Sequence, residues 1–98
     1  MSDPQVSPKA ARLHITGRVQ GVGYRAWTIR AANARGLSGW VRNRADGSVE
    51  VLIAGPTGQV DDMIAACRKG PPLARVTAVE TGPALLPAEP GFRHLPTI

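Results

Sequence analysis

Ser38-Gly-Trp-Val-Arg-Asn-Arg-Ala-Asp-Gly-Ser-Val-Glu-Val-Leu-Ile53 is the stretch on which the fold turns. Its first half alternates Trp40, Arg42 and Arg44 with Val41 and Asn43, the pattern of a strand with two unlike faces. Asp46-Gly47 follows, a strong hairpin signal. Val49, Val51 and Ile53 then supply the buried face of a returning strand. A tight hairpin at this point leaves no room for the crossover helix of a parallel-sheet nucleotide fold.

Reading outward, Leu13 and Ile15 alternate with Arg12, His14 and Thr16, so Ala11 to Thr16 is expected to be a first strand. Tyr24 to Arg35 reads as a helix with Trp27, Ala31 and Ala34 at i, i+4 and i+7, closed by Gly36. Downstream, Gly55-Pro56-Thr57-Gly58 breaks the chain. Val60, Met63, Ile64 and Cys67 then form an amphipathic stripe on a second helix. Asp61 and Asp62 fall in its first turns and Arg68 and Lys69 in its last, as the helix dipole favours. Gly70-Pro71-Pro72 ends it, and Val76 to Thr81 is a fourth strand. Gly82 to Gly91, with Pro83, Pro87 and Pro90, reads as loop. Phe92 to Leu95 is a short last strand that Pro96 confines to an edge or an end.

The order β-α-β-β-α-β belongs to the α+β class. It predicts a ferredoxin-like split βαβ sandwich, an antiparallel sheet with two helices on one face and a short fifth strand. The other face is expected to be open to solvent, which suits Arg42 and Arg44. Residues 1–10 are polar, with Pro4 and Pro8, and read as a flexible arm; residues 11–98 read as a single domain.

Composition narrows the function. Ninety-eight residues suffice for one core but not for a doubly wound nucleotide fold or an α/β barrel. The formal charge of +5 favours anionic partners. The arginines are dispersed over several elements, so nucleic acid is not the expected partner. The two strands expected at the centre of the sheet, residues 11–16 and 48–54, also carry no aromatic platform on which bases would stack. A single cysteine, Cys67, requires no oxidising compartment. No apolar run resembles a signal peptide or a membrane span, so the expectation is a cytoplasmic protein with no membrane partner. Nothing demands an oligomer, and a monomer is expected.

Between the first strand and the first helix lies Gly17-Arg-Val-Gln-Gly-Val-Gly-Tyr-Arg25. A glycine-punctuated loop opening a helix can aim several backbone N–H groups at one anion, reinforced by the helix dipole. Arg25, just inside the helix, adds a charged fork suited to phosphate oxygens. A Walker A reading fails, because Val22 stands where the second glycine must be. Gly21, Gly23 and Ala26 satisfy a dinucleotide fingerprint, with Asp46 at a suitable distance, but the hairpin rejects that fold. A simple phosphate cradle remains: Gln20, Gly21, Val22, Gly23, Tyr24 and Arg25.

No nucleophile, metal or cofactor is evident beside it. Cys67 lies on a core stripe and lacks the Cys-x5-Arg spacing of a cysteine phosphatase; His14 and His94 are isolated and read as strand-face residues. A site this spare suits an acyl phosphate, whose leaving carboxylate needs no protonation. Asn43 can hold an attacking water through its amide, or it can be an ordinary hairpin-end residue; spacing leaves both open.

Gly17 to Arg25, followed by Gly36-Leu-Ser-Gly-Trp-Val-Arg-Asn43, Asp46-Gly-Ser-Val-Glu50 and Gly70-Pro-Pro-Leu-Ala-Arg-Val76, closely resembles the acylphosphatase family over about residues 11–81. The resemblance implies hydrolysis of small acyl phosphates, with inorganic phosphate as product inhibitor. It implies that Arg25 binds the substrate phosphate with the loop amides, and that Asn43 positions the hydrolytic water. A non-catalytic phosphate-binding module is the alternative. The tail, Arg93-His-Leu-Pro-Thr-Ile98, departs from the family's regular last strand.

Overall fold

A computed structural model describes residues 8–98. The chain runs β1 (Pro8–Arg18), α1 (Tyr24–Ala34), β2 (Ser38–Asn43), β3 (Val49–Pro56), α2 (Thr57–Lys69), β4 (Arg75–Pro83) and β5 (Phe92–His94). The sheet order is β4-β1-β3-β2-β5, with β1 antiparallel to both β3 and β4 and β2 antiparallel to β3. This is the ferredoxin-like arrangement expected, with one amendment. The edge strand β5 pairs with β2 in parallel, so the sheet is mixed. The tail continues beside β2, where Leu95 N–H donates to Val41 O and Ala45 N–H to Ile98 O.

Strand limits differ at the ends. The proposed arm reaches Ala10, yet β1 already begins at Pro8, which pairs with Pro56; residues 1–7 lie outside the described residues. Gly82 and Pro83, expected in a loop, extend β4 opposite Arg12 and Ala11. β1 bulges between Thr16 and Gly17, where Gly17 takes φ +118°. A Cβ there would stand 2.1 Å from the Arg75 carbonyl oxygen, so only glycine fits this approach.

The core lies between the sheet and the two helices. Leu13, Ile15, Val41, Val49, Val51 and Ile53 meet Val60, Met63 and Cys67 of α2. In α1 the buried line is Tyr24, Thr28 and Ala32, with Trp27 and Ala31 only partly buried and Ala34 exposed. The expected stripe is therefore out of phase. Tyr24, just after the loop, puts its ring in the core and donates its hydroxyl to Cys67 O at 2.7 Å. Burial pushes this phenol well above its ordinary range. The C-terminus of α1 closes with Gly36 N–H on Asn33 O and Leu37 N–H on Ala32 O, a Schellman arrangement that buries Leu37.

The hairpin is tighter in logic than the Asp-Gly pair suggests. Among the described residues no non-glycine residue has positive φ, so Asp46 is not the first residue of a mirror-image turn. Ala45 and Asp46 form the turn, Gly47 N–H donates to Arg44 O, and Arg44 N–H donates to Ser48 O. Asp46 Oδ1 accepts from both the N–H and the hydroxyl of Ser48, bonds that hold the carboxyl below its usual range.

The face without helices is not simply solvated. Glu50 is 3% exposed there, beneath a canopy of arginines. Arg12 forks onto its Oε2, Arg42 Nε donates to Oε1 at 2.7 Å, and Arg44 reaches Oε1 at 3.3 Å. Arg42 also lies over the Trp40 ring, 4.6 Å from its centroid.

Candidate active site

β1 and β2 run parallel, with β3 between them, so their C-terminal ends share one end of the sheet. The loop 19–23 leaves from β1 at that end, and Asn43 closes β2 there. Gly21 and Gly23 hold φ of +74° and +81°, a left-handed geometry of the kind that lets successive N–H groups face one anion. Gly23 is also the N-cap of α1 and supplies no side-chain cap. Its carbonyl accepts from Trp27 N–H, as a helix start requires. None of the backbone N–H groups from Gln20 to Arg25 donates to a protein acceptor among the described residues. Unpaired donors, the positive end of α1 and a guanidinium thus converge on one spot.

That spot is a cavity of about 300 Å³ lined by Gln20, Gly21, Gly23, Tyr24, Arg25 and Asn43, with Val19, Ala26, Ile29 and His94 completing the wall. Of the sequence-predicted residues only Val22 is absent from the lining; its side chain packs into the core. Asn43 Oδ1 is buried and has no hydrogen-bond partner among the described residues. A buried carbonyl left this way costs roughly 1–3 kcal/mol, so it marks a place made for a donor such as water.

Two side-chain roles lay outside the sequence reading. Gln20, expected only as a loop amide, reaches across with its side chain. Its Nε2 donates to Arg44 O and Ser48 O, both at 2.8 Å, and so ties the loop to the hairpin next to Asn43. His94, read as a strand-face residue, stands 2.8 Å from Arg25 Nη1 through Nε2. Arginine can only donate, so Nε2 is the acceptor in this contact. The parallel pairing of β5 brings His94 here, opposite Val41.

Cys67 is not part of the site. It is fully buried, and burial pushes its thiol up to about 11, so it carries no thiolate near neutrality. His14 lies on the open face, 3.6 Å from Glu80. No group of three His, Cys, Asp or Glu side chains converges among the described residues. Among the same residues no helix is long and apolar enough to cross a membrane.

A family model described as acylphosphatase matches residues 11–93. An acylphosphatase of Rhodospirillum rubrum is 50% identical over 92% of this chain and 99% of its own. One from an Azoarcus species is 53% identical over 99% of each. Among solved structures, the acylphosphatase of Bacillus subtilis superposes with a TM-score of 0.85 at 34% identity, covering 91% of this chain and 99% of its own.

Proposed function

Because this chain belongs to the acylphosphatase family, and so hydrolyses the carboxyl–phosphate bond of small acyl phosphates, we propose that the loop 20–25, Arg25 and Asn43 carry the reaction. The loop amides and the Arg25 guanidinium hold the phosphoryl group and take up charge on its equatorial oxygens as the transition state forms. Asn43 Oδ1 accepts a hydrogen bond from the attacking water and aims its oxygen at phosphorus. The P–O bond to water forms as the P–O bond to the carboxylate breaks. The carboxylate leaves unprotonated, and the proton from water passes to a phosphoryl oxygen. No general base is needed near the cradle. Gln20 and His94 act indirectly, by holding the loop and Arg25.

The observation that carries this reading is the orphaned Asn43 Oδ1 on the wall of the cavity that Arg25 and the unpaired amides also line. Inorganic phosphate, the product, fits the same cradle and competes with substrate. The protein works as a monomer in the cytoplasm and needs no metal.

A steady-state comparison of benzoyl phosphate with p-nitrophenyl phosphate tests the proposal. Benzoyl phosphate should turn over, be inhibited competitively by phosphate and be indifferent to EDTA. Equal rates on the two substrates would show a general phosphomonoesterase instead. Loss of activity with chelator, restored by metal, would overturn the metal-free mechanism.

A further inference from the structure

On the far flank of the cradle loop lies a second cavity, of about 450 Å³, lined by Arg18, Gly21, Val22 and the segment Pro72 to Arg75. Arg18 and Arg75 are register partners across β1 and β4, so their side chains share one face of the sheet. Like charges directly opposite one another are destabilising in an antiparallel pair. Neither guanidinium has a hydrogen bond or ion pair to another described residue. Every acidic side chain in the described residues other than Glu80 is bonded elsewhere, and Glu80 faces His14. The bulge at Gly17 produces the juxtaposition, because it shifts the register just before Arg18.

Gly21 lines both this cavity and the catalytic one. An added Cβ there would meet nothing within 4 Å, so the passage beside it is open. The sheet order β4-β1-β3-β2-β5 places Asn43 and Arg75 on opposite flanks of β1. In-line displacement puts the water and the leaving group on opposite sides of phosphorus. A water held by Asn43 therefore directs the acyl group toward the β4 flank. Leu73, 72% exposed, offers apolar contact along that route.

We propose, building on the hydrolytic reading of the cradle, that Arg18 and Arg75 form a subsite for a second anion on the acyl group. The preferred substrates are then acyl phosphates whose acyl chain itself ends in a carboxylate or a phosphate. Two guanidinium groups lining one cavity without counter-charge suit such a group.

The test compares 4-carboxybenzoyl phosphate with benzoyl phosphate in the wild type, in Arg18→Gln, in Arg75→Gln and in the double variant. The quantity read is the ratio of kcat/KM for the two substrates. The wild type should favour the carboxylated compound, and the double variant should lower that ratio roughly 10- to 100-fold, chiefly through KM. High salt should compress the wild-type ratio in the same direction. A ratio equal in wild type and double variant overturns the subsite. Failure of the wild type to hydrolyse benzoyl phosphate overturns the hydrolytic reading itself, a separate result. Melting temperatures show that the variants fold; relief of the like-charge pair should hold or raise them, and each single variant reads the same ratio if the double does not fold.

Discussion

The two halves of this fold, β1-α1-β2 and β3-α2-β4, repeat one pattern and differ at one junction. Between β1 and α1 lie five residues with two left-handed glycines; between β3 and α2 there is none, since β3 ends at Pro56 and α2 begins at Thr57. Neither helix has a side-chain N-cap. Only α1 couples its bare N-terminus to a loop of inward amides and a guanidinium one residue into the helix. α2 instead presents a clean stripe, Val60, Met63 and Cys67, to the sheet. At its junction the second half stays compact; the first gives up that compactness and gains an open cavity. A helix N-terminus alone is therefore not what makes the cradle. The spacer that aims the preceding amides is.

Arg25→Ala should break the distinction most severely. Removing one preorganised donor from a developing oxyanion typically costs about 10²–10³ in rate. Loss of the charged fork should reach at least that in kcat/KM for benzoyl phosphate. Arg25→Lys should not restore it, because an ammonium cannot span two oxygens in the same plane. Retention of half the activity by either variant would show that the loop and dipole suffice, and that the guanidinium does not set the two junctions apart.

Asn43→Ala should separate binding from chemistry. Asn43 belongs to β2, which closes the first half, and its Oδ1 is left without a partner among the described residues. Its removal should lower kcat by about 10² or more while the inhibition constant of phosphate stays near the wild-type value. Stability should not fall, since a buried unsatisfied acceptor is being deleted. A variant with near-native kcat and a lowered melting temperature would return Asn43 to the role of a hairpin-end residue.

Gln20→Ala comes next. It unties the loop from Arg44 O and Ser48 O without touching the cradle amides. Loss of two bonds should cost about 1–2 kcal/mol of stability and raise KM and the phosphate inhibition constant together, roughly 3- to 10-fold. Gln20→Glu, which cannot donate to those carbonyls, should do no better than alanine. Unchanged phosphate affinity in both would mean that the glycines alone hold the loop.

How far these roles could be read beforehand follows from how local each one is. The cradle is written in nine consecutive residues, and the hairpin in another short run, so periodicity and turn chemistry suffice for them. Asn43 was legible as a candidate because it ends a strand, but its unpaired oxygen is a fact of packing. His94 was not legible. It reaches Arg25 only through a parallel pairing of Phe92–His94 with β2, a contact made across 69 residues of chain. The phase of α1 was missed because Tyr24, at the helix start, counts among the cradle residues and not among the core stripe, although it is 1% exposed. Glu50 was missed for a similar reason: alternation assigns it to the solvent face, and only the strands on either side bring the arginines that cover it.

Glu50→Gln should give the smallest effect on catalysis and the plainest contrast with Arg25. Glu50 sits on β3, in the half whose strand–helix junction carries no cradle loop, and accepts from Arg12 on β1 and from Arg42 and Arg44 across the hairpin. It lines none of the catalytic cavity. Burial by itself would raise its carboxyl, but the hydrogen bonds and charges of Arg42 and Arg12 outweigh that and hold it below the usual range. A carboxyl lowered on folding adds stability above its unfolded pKa. That stability fades as pH falls through the lower folded value. Glutamine keeps the shape and one acceptor but leaves three guanidinium groups facing no charge. The expected cost at neutral pH is about 2 kcal/mol, a fall on the order of 10 °C in melting temperature for a domain of this size. kcat for benzoyl phosphate should stay within about twofold. Below the range in which Glu50 protonates, the two proteins should approach one another in stability, so the difference in melting temperature must shrink on the acid side. A difference that persists unchanged into acid would mean that Glu50 contributes through packing and not through its charge. A matching fall in kcat would mean that the two faces of the sheet are coupled, and that the division of labour between the halves is less complete than their junctions imply.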